Sequence, residues 1–302
     1  MKVSPTLVFD KKSLEIHGFT DLGDYTPSSQ TSQKGDHALV LMFQPFRGKW
    51  VQTIACFLSK NAASGTVLHH LIIEAVTLME KSGFFVDAVV CDGATWNRSM
   101  FKKFGISLDS VSCEHITDPT RRLWFISDFP HLIKNLRNAI VSNQVTFVSF
   151  ICLVLFYILM CRRIYYIVLN FSFFSASTAA ALQVYSGKVP ELKESSGCAN
   201  FVRRINTVVD AMNSRTPLTA LKLNSLPYKE IQDFLIYLIE WEALAKSKGW
   251  KFMSESTYFG LRVTCQATLE LAEFLSSKCD FKYLMTARLN QDSLEVFSSF
   301  IL

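Results

Sequence analysis

The sequence predicts an α/β fold in which a mixed sheet is interrupted by a mostly α-helical block. Three observations carry this. Two apolar runs, Phe85 to Cys91 and Leu123 to Ser127, each end at an aspartate and lead into a helical pattern, as buried strands do when their carboxyl ends open onto a loop. Ahead of them, His37 to Phe43 and Trp50 to Phe57 flank the turn-forming stretch Gln44 to Lys49, the pattern of an antiparallel hairpin. Beyond Phe174 the apolar residues recur at helical spacing.

Taken in order, Leu7 to Phe9 and Leu14 to Phe19 read as short strands around the polar turn Asp10 to Ser13. Asp24 to Gly35, rich in Ser, Thr, Gln and Gly, is a loop. After the hairpin, Leu68, Leu71, Ile72, Ala75 and Met79 mark a helix over Gly65 to Ser82. The strand ending at Asp92 precedes a helix that reaches about Phe104. The strand ending at Asp128 precedes a basic helix over Phe129 to Val141, with Pro130 suited to its first turn. Two antiparallel strands, helix, strand, helix, strand is the ribonuclease-H-like (RNase-H-like) order without its opening central strand.

Three stripes then predict helices: Phe201, Ile205, Val208, Val209 and Met212; Ile231, Phe234, Leu235, Leu238 and Ile239; Leu261, Thr264, Leu269, Leu271, Phe274 and Leu275. Asn290 is an N-cap for a closing helix. The expected division is residues 1–120, a helical insertion over 121–275, and a return to the first domain over 276–302.

Bulk properties narrow the class modestly. A net charge of +5, from 31 basic and 26 acidic residues, is compatible with nucleic acid without pointing to it. The eight cysteines include no Cys-x-x-Cys pair, which argues against a zinc site or disulfide scaffold and for a reduced, intracellular chain. Met1 to Asp10 carries no signal-peptide pattern.

Residues 144–174 stand apart. Val145 to Met160 carries no charge, Arg162 and Arg163 interrupt, and Ile164 to Phe174 continues. The first run is shorter than the roughly 20 residues a spanning helix needs, yet its Leu, Ile, Phe and Val content favours insertion by about 3 to 7 kcal/mol. Translated intron or damaged coding sequence, a membrane span, and a buried core helix are the three readings.

Several short segments, in order, carry a resemblance: Gly35-Asp36-His37-Ala38-Leu39-Val40; Val90-Cys91-Asp92 with Asn97; Phe125 to Lys134 with Arg137-Asn138; Asn213-Ser214-Arg215; and Arg288 to Glu295. In these the chain resembles the P-element and THAP-domain transposase family. The resemblance implies an RNase-H-like catalytic domain interrupted by a helical GTP-binding insertion, with DNA cleavage and strand transfer as the activity. It makes Asp92 the second and Glu295 the third of three carboxylates that hold two Mg2+ (or Mn2+) ions. Such ions prefer oxygen ligands and, as a pair, stabilise the attacking and leaving oxygens of a phosphoryl displacement. The first carboxylate would lie in a stretch resembling Phe-Asp-Glu-Met, with Met1 about where that Met falls; Asp10 has the flanks of a later turn and does not fill the role.

The same resemblance places Asp128, Lys134, Asp210 and Asn213 near the nucleotide, with Asp292 close to them. DNA transposon ends, a homo-oligomeric partner and a nuclear location are implied with it. With two of three carboxylates in hand, the expectation is a transposase fragment without activity. The alternatives are a domesticated GTP-binding or protein-interaction module lacking nuclease activity, and a membrane protein anchored by residues 145–174. Without the resemblance, Asp92 would simply cap the following helix, Glu295 would be a solvated helix residue, and Asp128 and Lys134 would decorate a helix start and an exposed face.

Overall fold

The computed structural model describes residues 1–142, 173–188, 193 and 195–301. These form two units, one of residues 1–125 with 290–302 and one of residues 126–289. Both breaks lie later than the sequence places them.

The first unit begins with a ribbon, β1 (Val8–Asp10) paired antiparallel with β2 (Glu15–His17). Gly18, at φ +110°, closes it, because a Cβ there would strike the Thr6 carbonyl oxygen. The expected hairpin follows as β3 (His37–Phe43) and β4 (Gln52–Ser59), antiparallel, with a register shift between Leu41 and Met42. Met1 to Val3 pairs against the start of β3, Ala38 N–H to Met1 O at 2.8 Å and Val3 N–H to Asp36 O at 2.8 Å. Asp36 anchors that corner: its Oδ2 accepts from Lys60 Nζ at 2.7 Å and its Oδ1 from the Asn61 N–H at 2.6 Å, with His37 Nδ1 at 2.7 Å.

Helix α1 (Gly65–Lys81) is capped by Ser64, whose hydroxyl accepts from the Val67 N–H at 3.3 Å. A Cβ on Gly65 would sit 2.6 Å from Ser99 Cβ, so glycine is what lets α1 close on α2 (Thr95–Lys103). Strand β5 (Ala88–Cys91) lies beside β7 (Arg122–Ser127), whose other edge pairs antiparallel with β6 (Ser112–Glu114). β5 starts three residues later than the apolar run suggests, leaving Phe85 71% exposed. The cause is charge. Arg121 donates to Asp87 Oδ1 at 2.6 Å and to Glu80 Oε2 at 2.9 Å, pulling the start of the run into an ionic cluster. Glu80 Oε1 also accepts from the Val86 N–H at 2.7 Å, and buried His115 sets Nε2 at 2.9 Å from Val86 O.

The second unit is helical: α3 (Phe129–Ser142), α4 (Ala176–Ser186), α5 (Ser196–Met212), α6 (Leu226–Lys248) and α7 (Glu255–Lys278). Its core includes Leu136, Ile205, Phe234, Leu238, Leu261 and Leu271. Ile239, expected on the buried stripe of α6, is 45% exposed because it sits at the margin of the face set by Ile231, Phe234 and Leu238. Gly260 admits Leu132 of α3 against α7, where a Cβ would meet Leu132 Cδ2 at 2.5 Å. Thr264 of α7 accepts from the Ser127 N–H at 2.9 Å, both groups buried. The chain past α7 stays with the helices: Leu221 and Leu284 exchange backbone bonds of 2.8 Å, and Ser214 is hydrogen-bonded to Thr286 in a 3-10 turn over Thr286–Leu289. These bonds hold the segment up to Leu289 in the second unit.

Among the described residues no helix is long and apolar enough to cross a membrane. Residues 145–172 of the apolar run lie outside the described residues; Phe173 and Phe174 at its end are buried.

Candidate functional site

β5 delivers Asp92 to the loop before α2. Its Oδ1 accepts from the Ala94 N–H at 2.8 Å and from Asn97 Nδ2 at 2.7 Å, and the same Nδ2 lies 3.3 Å from the Asp92 carbonyl. Ala94 is the N-cap residue and has no side-chain oxygen. Asp92, two residues ahead, supplies an acceptor to the N–H of Ala94 itself, an Asx turn leading into the helix. Among the described residues no hydrogen bond reaches Oδ2, which leaves it available to a cation. Arg98, next to Asn97, donates from Nη1 to the Gly93 carbonyl and from Nη2 to Thr95 Oγ1 at 3.2 Å. Its charge is directed at neutral acceptors and not at Asp92.

Glu295 lies in the first turn of α8 (Asp292–Ile301) and is exposed. The N-cap position is Gln291, whose carbonyl accepts from the Glu295 N–H at 2.9 Å, one residue later than the sequence suggests; Asn290 lies just outside the helix, its Oδ1 accepting from the Asp292 N–H at 3.1 Å. Because the chain re-enters the first unit at Asn290, Asp92 and Glu295 belong to one unit despite the long insertion between them. The donors are carboxylate oxygens, the kind Mg2+ takes, and Mg2+ commonly binds through one or two carboxylates while keeping several waters. Among the described residues no three His, Cys, Asp or Glu side chains converge on a metal position.

The nucleotide candidates fall into two pairs within the second unit. Asp128 is buried at the end of β7, and its Oδ2 accepts from the His131 N–H at 3.1 Å, so it caps α3. Lys134, further along α3, is exposed. Asp210 is on the last turn of α5, where Asn206 Nδ2 donates to its Oδ2 at 2.9 Å. Burial raises the Asp210 carboxyl above its ordinary pKa, and the Asn206 bond opposes this. Asn213 ends α5, with Arg215 Nη2 at 3.4 Å from its Oδ1. Asp292 belongs to the first unit. The Ser127–Thr264 bond beside Asp128 was not foreseeable, because its partners are 137 residues apart.

Comparison with known proteins gives a consistent result. A family model described as the TNP-like RNase H N-terminal domain matches residues 1–105, and one described as the TNP-like GTP-binding insertion domain matches residues 157–224. The second match begins inside the apolar run. The human protein DNA transposase THAP9 is 23% identical over 98% of the chain and 37% of its own length. The Drosophila melanogaster protein Transposable element P transposase is 24% identical over 72% of the chain and 32% of its own length. The chain thus spans about a third of the curated relatives it matches. A solved structure, the Drosophila P element transposase strand transfer complex, shares the fold with a TM-score of 0.75 at 18% identity, over 100% of this chain and 69% of that one. With two domain models in family order, relatives aligned along the chain and a common fold, the chain belongs to the P-element and THAP9 transposase family, as an RNase-H-like domain carrying a GTP-binding insertion domain.

Proposed function

We propose that the chain is part of the catalytic core of a P-element-like DNA transposase. The observation that supports this best is the return of the chain to its first unit at Asn290, which puts Glu295 in the same unit as the strand-end carboxylate Asp92. On this reading Asp92 and Glu295 each hold Mg2+ or Mn2+, which would supply charge neutralisation at a reacting phosphate. The partner is DNA at transposon ends, as the names of the relatives suggest, and the place of action is the nucleus. A homo-oligomer is part of the same proposal.

GTP is the proposed cofactor of the second unit. Lys134 offers an exposed ammonium for phosphate. Asp210 and Asn213, three residues apart at the end of α5, offer acceptors for the N–H groups of guanine. Asp128 contributes by fixing the start of α3 that carries Lys134. Asp292 stays in the proposal at lower rank, since it lies in the other unit.

With two carboxylates assigned, Asp92 and Glu295, the 302-residue polypeptide is expected not to cleave DNA by itself. Cleavage or joining of transposon-end DNA by the purified chain with Mg2+ would overturn that expectation. A second reading, a GTP-binding module without nuclease activity, is favoured by the match over residues 157–224, which is independent of the carboxylates. Isothermal titration decides the shared part: GTP should bind, and Lys134→Ala should weaken it about tenfold. Absence of GTP binding would remove the cofactor from both readings.

A further inference from the structure

We infer that Asn97 is a positioning residue for Asp92, confining that carboxylate to a single cation-facing oxygen. The inference rests on the assignment of Asp92 as a metal ligand and adds how the ligand is prepared.

A carboxylate oxygen has about two lone-pair sites. On Asp92 Oδ1 both are taken, by the Ala94 N–H at 2.8 Å and Asn97 Nδ2 at 2.7 Å. Two bonds at these lengths fix the rotation of the carboxyl group, and the outward oxygen is Oδ2. Asp92 then coordinates one ion through one oxygen and cannot clasp an ion with both. The backbone N–H alone would leave the group free to pivot about that single bond; the second donor removes the pivot.

The choice of residue is also chemical. A neutral amide donor orients the carboxylate and leaves its negative charge for the cation. A lysine in that place would neutralise the charge and compete with the metal. An aspartate would present an acceptor to an acceptor. The nearby cation, Arg98, is held on the Gly93 carbonyl and Thr95 Oγ1 and makes no ion pair with Asp92. Asn97 is itself steadied by its forked bond, since the same Nδ2 lies 3.3 Å from the Asp92 carbonyl. Asn97 touches no reacting atom, and its effect passes through Asp92.

The test is Mn2+ binding to the full 302-residue protein, followed by the electron paramagnetic resonance of free Mn2+, alongside thermal melting with and without the ion. Asp92→Asn should abolish the site. Asn97→Ala should weaken Mn2+ about 10- to 100-fold, the range seen when outer-shell partners of metal ligands are removed. Asn97→Ala should also gain less in melting temperature from Mn2+ than wild type does, a metal-dependent difference that a helix-capping role would not produce. Asn97→Ser, a milder change, takes over the same two measurements if Asn97→Ala fails to fold. If Asp92→Asn abolishes binding while Asn97→Ala binds as tightly as wild type, the positioning role is overturned and the ligand assignment stands. If the folded variant gains as much from Mn2+ in melting temperature as wild type does, the positioning role is likewise overturned. Binding that ignores Asp92→Asn overturns the ligand assignment and the positioning role together.

Discussion

Ser214 and Thr286, 72 residues apart, hydrogen-bond to each other three times in the buried interior of the helical unit. The Ser214 N–H donates to Thr286 Oγ1 at 2.9 Å, the Thr286 N–H donates to Ser214 Oγ at 3.0 Å, and the two hydroxyl oxygens are 2.9 Å apart. Thr286 Oγ1 also donates to the Ala211 carbonyl at 2.7 Å, tying the 3-10 turn to the end of α5.

Thr286→Val keeps the shape and removes the hydroxyl, leaving buried partners unpaired. Each such group costs about 1 to 3 kcal/mol, so Thr286→Val should lose about 2 to 4 kcal/mol in urea unfolding while Thr286→Ser retains most of the stability. A loss under about 0.5 kcal/mol would mean that the bonds contribute little.

Arg121 is the counter-charge for both Glu80 and Asp87, at 2.9 Å and 2.6 Å. Removing one partner from a buried ionic cluster strands the others, at a cost of about 3 to 5 kcal/mol. Arg121→Met should show that loss by chemical denaturation. Replacing Arg121, Glu80 and Asp87 together by apolar residues should cost less than Arg121→Met alone.

Asp36 gives a pH signature. The Lys60 ammonium, then His37 and the Asn61 N–H, hold its carboxyl well below the ordinary carboxylate range. A folded-state pKa below the unfolded value means the stabilisation is complete above about pH 4. It is lost as pH falls below that, through the folded value. Asp36→Asn should therefore be less stable at pH 7 and should decline less steeply between pH 4 and pH 2. Parallel acid limbs in the two proteins would count against the role.

Cysteine chemistry separates interior from surface. Cys265 is fully buried in α7, and burial pushes its thiol up to about 12, while Cys56 is exposed on β4. A disulfide reagent at pH 8 should label Cys56 promptly and Cys265 only on unfolding; mass mapping of labelled peptides reads the order. Prompt labelling of Cys265 in the folded protein would contradict its burial.

Gly65 is the last test. Alanine usually improves a helix by up to about 1 kcal/mol, but here its Cβ would lie 2.5 Å from Ser99 Oγ and 3.0 Å from the Met100 backbone nitrogen. Gly65→Ala should lower stability by about 1 to 3 kcal/mol, the usual cost of overpacking. A stabilised variant would show that α1 and α2 can separate freely.

What could be read from the sequence follows from how far each signal reaches along the chain. The strand leading to Asp92 and the helices of the second unit were legible because an apolar run or stripe is a local pattern. β6 was not, since Ser112–Glu114 is three residues long and becomes a strand by pairing with β7. Trp50 and Phe85 are apolar in sequence yet exposed, and only the position of Arg121 accounts for where β5 begins. Asn97 could be noticed five residues after Asp92, but its bond to Oδ1 is a matter of side-chain rotation that spacing does not encode.

The discontinuity of the first unit bears on how the protein is made. A ribosome that has finished residue 125 must still produce residues 126–289 before α8, which belongs to that first unit, can emerge. At about 5 to 20 residues per second, the wait is on the order of 10 to 30 seconds. Asp92 is in place on its strand early, and Glu295 arrives only after the whole insertion has been translated. The helical unit has its full sequence before the RNase-H-like unit does, so during synthesis the inserted domain can finish folding first and the domain that hosts it last.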